Sequence, residues 1–168
     1  MQKKDANYSV FEKGLNDIIA IYLNKKYCEM KDLSRLDIKE MPDLLIECLG
    51  KMIRYNTNLQ SLNLDNTGLN SHVLVGFVPF LRHSKSLLCF HLAQNPGITS
   101  TVKEFWQRRL YTRKRDHDLV IDVKRDRDDL KKPLDPEERL TMTENEIKIR
   151  DYKVANYRRW LMEEAATI

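Results

Sequence analysis

The residues best equipped for chemistry in this chain stand together in "LLCFHL", where Cys89 and His91 lie two positions apart. Alternate residues of a strand point to the same face, so a thiol and an imidazole would be neighbours there. Such a pair can be an activated nucleophile and its base, or half of a metal site. Either chemistry needs more: a carboxylate that orients the imidazole, or a third ligand, at a defined spacing. No such residue accompanies them. Cys28, Cys48 and Cys89 are scattered without C-x-x-C spacing and read as small core residues of a reducing compartment, not as disulfides or a zinc site. Gly-rich phosphate loops, H-E-x-x-H and G-x-S-x-G do not occur. The expectation is a protein that is not an enzyme, with no catalytic residues, no cofactor, no metal and no small-molecule substrate.

Charge narrows the partners. Of 168 residues, 32% are charged, and 29 Lys and Arg against 25 Asp and Glu leave a net charge of +4 with the two signs intermixed. That argues against nucleic acid, which calls for segregated basic charge. The opening "MQKKDANYSVFEKG" lacks the apolar run of a signal peptide, and no stretch approaches a membrane-spanning length. The chain reads as cytoplasmic, with no membrane partner.

The elements that would position Cys89 and His91 are visible in the leucines around them. In "LQSLNLDNTGL", Leu59, Leu62, Leu64 and Leu69 occupy the first, fourth, sixth and last positions, a spacing that fits neither a helix nor a simple half-buried strand. A shift of 28 residues carries Leu59, Leu62 and Leu64 onto Leu87, Phe90 and Leu92, and Thr67 onto Asn95, a polar position where a side chain can bond the turning backbone. A degenerate first copy follows in "LSRLDI", as Leu33, Leu36 and Ile38 with Met41 at the polar position. Helices fill the intervals. Fourteen, ten and six residues before each first leucine stand Ile19, Leu23 and Tyr27; Leu45, Leu49 and Ile53; and Val73, Phe77 and Leu81, all apolar and on one helical face. Val102, Trp106 and Leu110 continue the series. Ser9 with Glu12 forms a capping box, Pro42 suits a helix first turn, and Pro79 predicts a kink or break near Val78.

These copies resemble the leucine-rich repeat family of the ribonuclease-inhibitor type, over about residues 9 to 113. The resemblance implies an α/β fold: a short solenoid with three parallel strands inside and about four helices outside. Members of that family mostly bind proteins through the strand residues between the leucines. Carried onto this chain, that concave face is Arg35, Asp37 and Lys39, then Ser61, Asn63 and Asp65, then Cys89, His91 and Ala93.

Three strands are few for a solenoid, and an apolar third strand leaves an edge that natural proteins cover. The candidates are "DLVIDV", Asp118 to Val123, the one strand-like run in the tail, or another protein. The chain divides into a repeat domain at 1–113 with an N-terminal capping helix, a charged extended linker at 114–142, and an amphipathic helix at 143–168. Thr143 and Glu146 make a capping box for that helix. Ile147, Val154 and Leu161 repeat every seven residues, with Tyr157 between them and Ile149, Tyr152, Asn156 and Trp160 on a neighbouring face. Arg150 spoils a strict coiled coil, so the helix suits docking in a groove, on a partner or on its own solenoid, with Tyr157, Trp160 and Leu161 as anchors.

The expectation is a scaffold subunit wedged into a larger assembly, of the cilium or axoneme or another part of the cytoskeleton. Two alternatives stand beside it. One is a regulatory inhibitor holding an enzyme on the concave face; the other is an RNA-associated protein using the basic run 107–115, "QRRLYTRKR".

Overall fold

The computed structural model describes residues 28–34, 43–110, 119–124 and 128–166. The expected N-terminal capping helix, the residues Arg35, Asp37 and Lys39, and much of the basic run 107–115 lie outside them. The described chain is a mixed α/β structure in which four short strands form one parallel sheet: β1 (Met30–Asp32), β2 (Ser61–Asn63), β3 (Cys89–His91) and β4 (Val120–Asp122), in that order. Between the strands run α1 (Asp43–Tyr55), the pair α2 (Ser71–Gly76) and α3 (Val78–Arg82), and α4 (Ser100–Arg109). After β4 come a single 3-10 turn (Asp128–Leu130), α5 (Pro136–Thr141) and the long α6 (Glu144–Ala166).

The apolar spacing explains the core. Leu59, Leu62 and Leu64 of one copy and Leu87, Phe90 and Leu92 of the next are all buried, facing helix residues Leu49, Met52 and Ile53, Phe77 and Leu81, and Val102, Trp106 and Leu110. Each such side chain contributes about 1.5–3 kcal/mol when removed from water. Phe77 meets the Phe90 ring edge-on, with centroids 6.0 Å apart. Pro79 breaks the second helix as its missing N–H requires: α2 ends at Gly76, Phe77 caps it, and Pro79 falls in the first turn of α3.

Two features of the sequence reading are corrected. The sheet has four strands, not three, because "LVIDV" pairs with β3 in parallel register, Cys89 opposite Val120 and His91 opposite Asp122. The first strand is Met30–Asp32, opposite Ser61–Asn63, and not the "LSRLDI" segment. Leu33 therefore corresponds to Leu64, its N–H donating to Asn63 O at 2.8 Å. The first copy is "CEMKDL", whose Cys28 and Lys31 stand where the other copies carry leucine or phenylalanine.

Past β2 and β3 the backbone turns in the same way twice. Asn66 (φ 52°) and Gln94 (φ 59°), 28 residues apart, both take the left-handed conformation, and Asn66 N–H donates to Ala93 O at 2.9 Å. Asn95 fixes that turn. Its amide donates to Leu64 O (2.9 Å) and Leu92 O (3.0 Å), and its oxygen accepts from the N–H groups of Thr67 and Leu69 (both 3.1 Å). Gly97 closes the turn where a Cβ would run into the Asn70 and Ser71 backbone, whereas at Gly50 it would meet only the half-buried Phe80 ring. Gly97→Ala is accordingly expected to cost about 2–3 kcal/mol, since backbone cannot step aside, and Gly50→Ala less than about 1 kcal/mol because alanine's helix propensity offsets a ring that can move. Urea denaturation of the two variants checks the contrast.

Candidate functional site

The pleat that sends Leu62 and Phe90 toward the helices turns their neighbours to the opposite face. There the register assembles two rows: Met30, Ser61, Cys89 and Val120, and above them Asp32, Asn63, His91 and Asp122. Asp65 and Ala93 follow one step further along. This is a polar face, yet it is not a wet one. Ser61, Asn63, Asp65, Cys89, His91 and Ala93 are all no more than 5% exposed.

Within it the polar groups bond one another. His91 Nδ1 lies 3.1 Å from Asp122 Oδ2, and His91 Nε2 lies 3.3 Å from Ser61 Oγ. A carboxylate can only accept, so a neutral imidazole in this arrangement carries its proton on Nδ1 and accepts the Ser61 hydroxyl at Nε2. That is the order of groups that activates a serine in hydrolases. Reaction would also require a substrate against Ser61, and Ser61, His91 and Asp122 are 4%, 2% and 7% exposed. In this arrangement the chain of bonds fastens three strands together. Next to it Asn63 Oδ1 accepts from Asp65 N–H at 2.9 Å, and Asp65 Oδ1 accepts from Ala93 N–H at 2.8 Å. Among the described residues no group of three or more His, Cys, Asp and Glu side chains could hold a metal ion.

What lies over the face is α6. Thr143 caps it, its hydroxyl accepting from Glu146 N–H at 3.1 Å. Ile147, Val154 and Leu161 of the seven-residue line are not buried; Ile149 and Tyr152 of the neighbouring face are, together with Tyr157. The Tyr152 hydroxyl stands 2.7 Å from Glu29 Oε1 and 2.6 Å from Gln60 Oε1, donating its single proton to one at a time. One turn on, Asn156 accepts from the Asn63 amide at 2.7 Å and donates to Asp65 Oδ2 at 3.0 Å. Arg159 then reaches the first strand: Nε is 3.2 Å from Asp32 Oδ2, Nη1 donates to Ser34 Oγ at 3.1 Å, and Nη2 donates to Asn156 Oδ1 at 2.9 Å and stands 3.7 Å from Asp65 Oδ2. Tyr152, Asn156 and Arg159 are thus i, i+4 and i+7 on one stripe, each placing a donor against an acceptor of the sheet. Within the helix Arg159 is answered by Asn156 and, one turn further along α6, by Glu163.

Of the residues expected to form the concave face, the structure brings together Ser61, Asn63, Asp65, Cys89, His91 and Ala93, under α6. Three tail anchors were expected, and they part company: Tyr157 is buried and stacks at 5.8 Å against half-buried Trp160, while Leu161 is 44% exposed. Asp122, the orienting carboxylate whose absence set aside a catalytic role for His91, is 31 residues away in sequence and adjacent across the sheet. The step from β3 to β4 is 31 residues where that from β2 to β3 is 28, so the repeat period does not place it there. Glu29, Asp32 and Ser34 were missed because the first copy was read five residues late, and Gln60 because it stands just ahead of the strand positions taken for the face.

The chain matches no protein-family model and no curated protein sequence. Solved structures add a likeness of fold. The structure titled "Leiomodin-1 Actin-Binding Site 2 (ABS2)" is similar to this chain with a TM-score of 0.52, over 90% of this chain and 95% of that one, at 13% identity. No described helix is long and apolar enough to cross a membrane.

Proposed function

We propose that this chain is a non-enzymatic protein-interaction subunit of a larger intracellular assembly, built on a short leucine-rich-repeat solenoid and belonging to the cytoskeleton. One observation carries the reading. The polar sheet face already recognises a protein helix, α6, through a stripe of three side chains matched to acceptors on β1 and on the residues beside β1 and β2. A surface of that kind selects partners by hydrogen-bond pattern and shape, which is what a scaffold requires. The repeat reading is supported by the 28-residue recurrence of strand, left-handed residue and turn from Leu59 to Asn95. The cytoskeletal reading draws on the likeness of fold to a structure whose title names an actin-binding site.

The test is co-sedimentation of the purified full-length chain with filamentous actin, beside a fluorescence titration of monomeric actin. Saturable binding to either supports the cytoskeletal assignment; none to both removes it and leaves the scaffold reading to other partners. Binding to single-stranded RNA that collapses between 50 and 200 mM salt, the behaviour expected of phosphate contacts, would replace the reading with the RNA-associated one. A ciliary address is checked by imaging the tagged chain in ciliated cells.

A further inference from the structure

We propose that α6 is a displaceable clasp, and that the sheet face beneath it takes in its place a partner's helix carrying donor groups in the pattern Tyr-x-x-x-Asn-x-x-Arg. The proposal rests on the protein-interaction reading and names the site and the chemistry of its ligand.

Three observations carry it. First, the polar groups of the face are already bonded among themselves: His91 to Ser61 and Asp122, Asn63 Oδ1 to Asp65 N–H, Asp65 Oδ1 to Ala93 N–H. Lifting α6 therefore leaves that network standing and returns the Asn63 amide and the second Asp65 oxygen to water, where a core helix would expose apolar surface. Second, in the 23 residues of α6 three side chains are buried, Ile149, Tyr152 and Tyr157, and its directional contacts with the sheet are polar bonds that water can replace. Third, the segment leading into the helix buries little: every residue of α5 is exposed, Leu140 at 87%, in residues 131–143 no side chain is buried, and α6 meets this segment through a hydrogen bond from Arg150 Nη2 to Lys132 O at 3.0 Å. A helix tethered this way opens without unfolding the sheet.

The vacated face states what it would bind. Glu29, Gln60 Oε1, Asp65 Oδ2, Asp32 and Ser34 Oγ all act as acceptors toward α6, so the replacement must bring donors, and the two aspartates favour a guanidinium in particular. The ligand is a basic, amide-bearing helix, not an acidic one.

The experiment uses the full-length chain and, as probe, a fluorescent peptide of residues 143–166. Arg159→Glu in the chain sets a carboxylate against Asp32, Asp65 and Glu163 and should release the clasp. Expected are peptide binding to this variant at least 10-fold tighter than to the wild type, and loss of binding when the peptide itself carries Arg159→Glu. Hydrogen exchange, run in parallel, should show α6 amides of the wild type exchanging at least 10-fold faster than those of β2 and β3. The proposal is overturned if the variant keeps a protected β2 and β3 yet binds no peptide, or if wild type and variant bind it equally. It is overturned as well if Arg159→Glu unfolds the sheet, since α6 is then part of the core. None of these outcomes touches actin binding by the wild type, so the clasp and the cytoskeletal reading fail separately.

Discussion

Asn95→Ala should be the most damaging single substitution on the polar side of this protein, removing about 3–5 kcal/mol of stability. The side chain is 5% exposed and serves two N–H groups and two carbonyls of consecutive turns. Alanine leaves the Thr67 and Leu69 N–H groups and the Leu92 carbonyl buried without it, and an orphaned buried group costs about 1–3 kcal/mol. Leu64 O keeps the Thr67 hydroxyl at 2.8 Å, so it is spared. Since whole domains are stable by about 5–15 kcal/mol, the loss is a large fraction of the total. Asn95→Asp should fall between the two, because it still accepts from both N–H groups but no longer donates to the carbonyls. Urea denaturation followed by circular dichroism decides it: a change below about 1 kcal/mol for Asn95→Ala would mean the turns stand without this side chain.

The second large effect is expected at Asp65, where fold and candidate site meet. Its carboxylate is fully buried, holding Ala93 N–H with one oxygen and Asn156 and Arg159 with the other. Asp65→Ala should cost about 3 kcal/mol, most of it for the buried Ala93 N–H and Asn156 amide left behind; the Arg159 share is small because that guanidinium is partly exposed and keeps Asp32 and Glu163. Asp65→Asn, which preserves the acceptor for Ala93, should keep the sheet intact and loosen α6 selectively. A double-mutant cycle with Asn156→Ala measures the bond across the interface, expected at about 1 kcal/mol of coupling. Coupling near zero would mean that α6 is held by its apolar residues alone.

Much of this could be read from residue spacing, and the failures are as informative. Leu59, Leu62 and Leu64 and their counterparts 28 residues on announced two strands because each leucine has one place to go, and the helix stripes Val73, Phe77, Leu81 and Val102, Trp106, Leu110 obeyed the same demand. The first copy was misplaced because Cys28 and Lys31 stand at apolar positions, so that Leu33, the only leucine of that strand region, was taken for the wrong member of its triplet. The fourth strand was visible as a β-branched run but counted only as possible cover, since two of the six residues of "DLVIDV" are aspartates. One of these, Asp122, is a carboxylate 7% exposed in the fold, where His91 Nδ1 stands 3.1 Å from it.

The sequence by itself determined the alternation of strand and helix, the break at Pro79 and the capping of α6 by Thr143, all of which depend on residues within one or two turns of each other. Only the tertiary structure decided which groups share the polar face and what lies on it. Asp122 meets His91 across 31 residues, and Asn156 meets Asn63 and Asp65 across more than 90. Polar contacts of that range leave no periodic trace, because a hydrogen bond constrains one donor and one acceptor, whereas burial of apolar surface constrains every residue along a face.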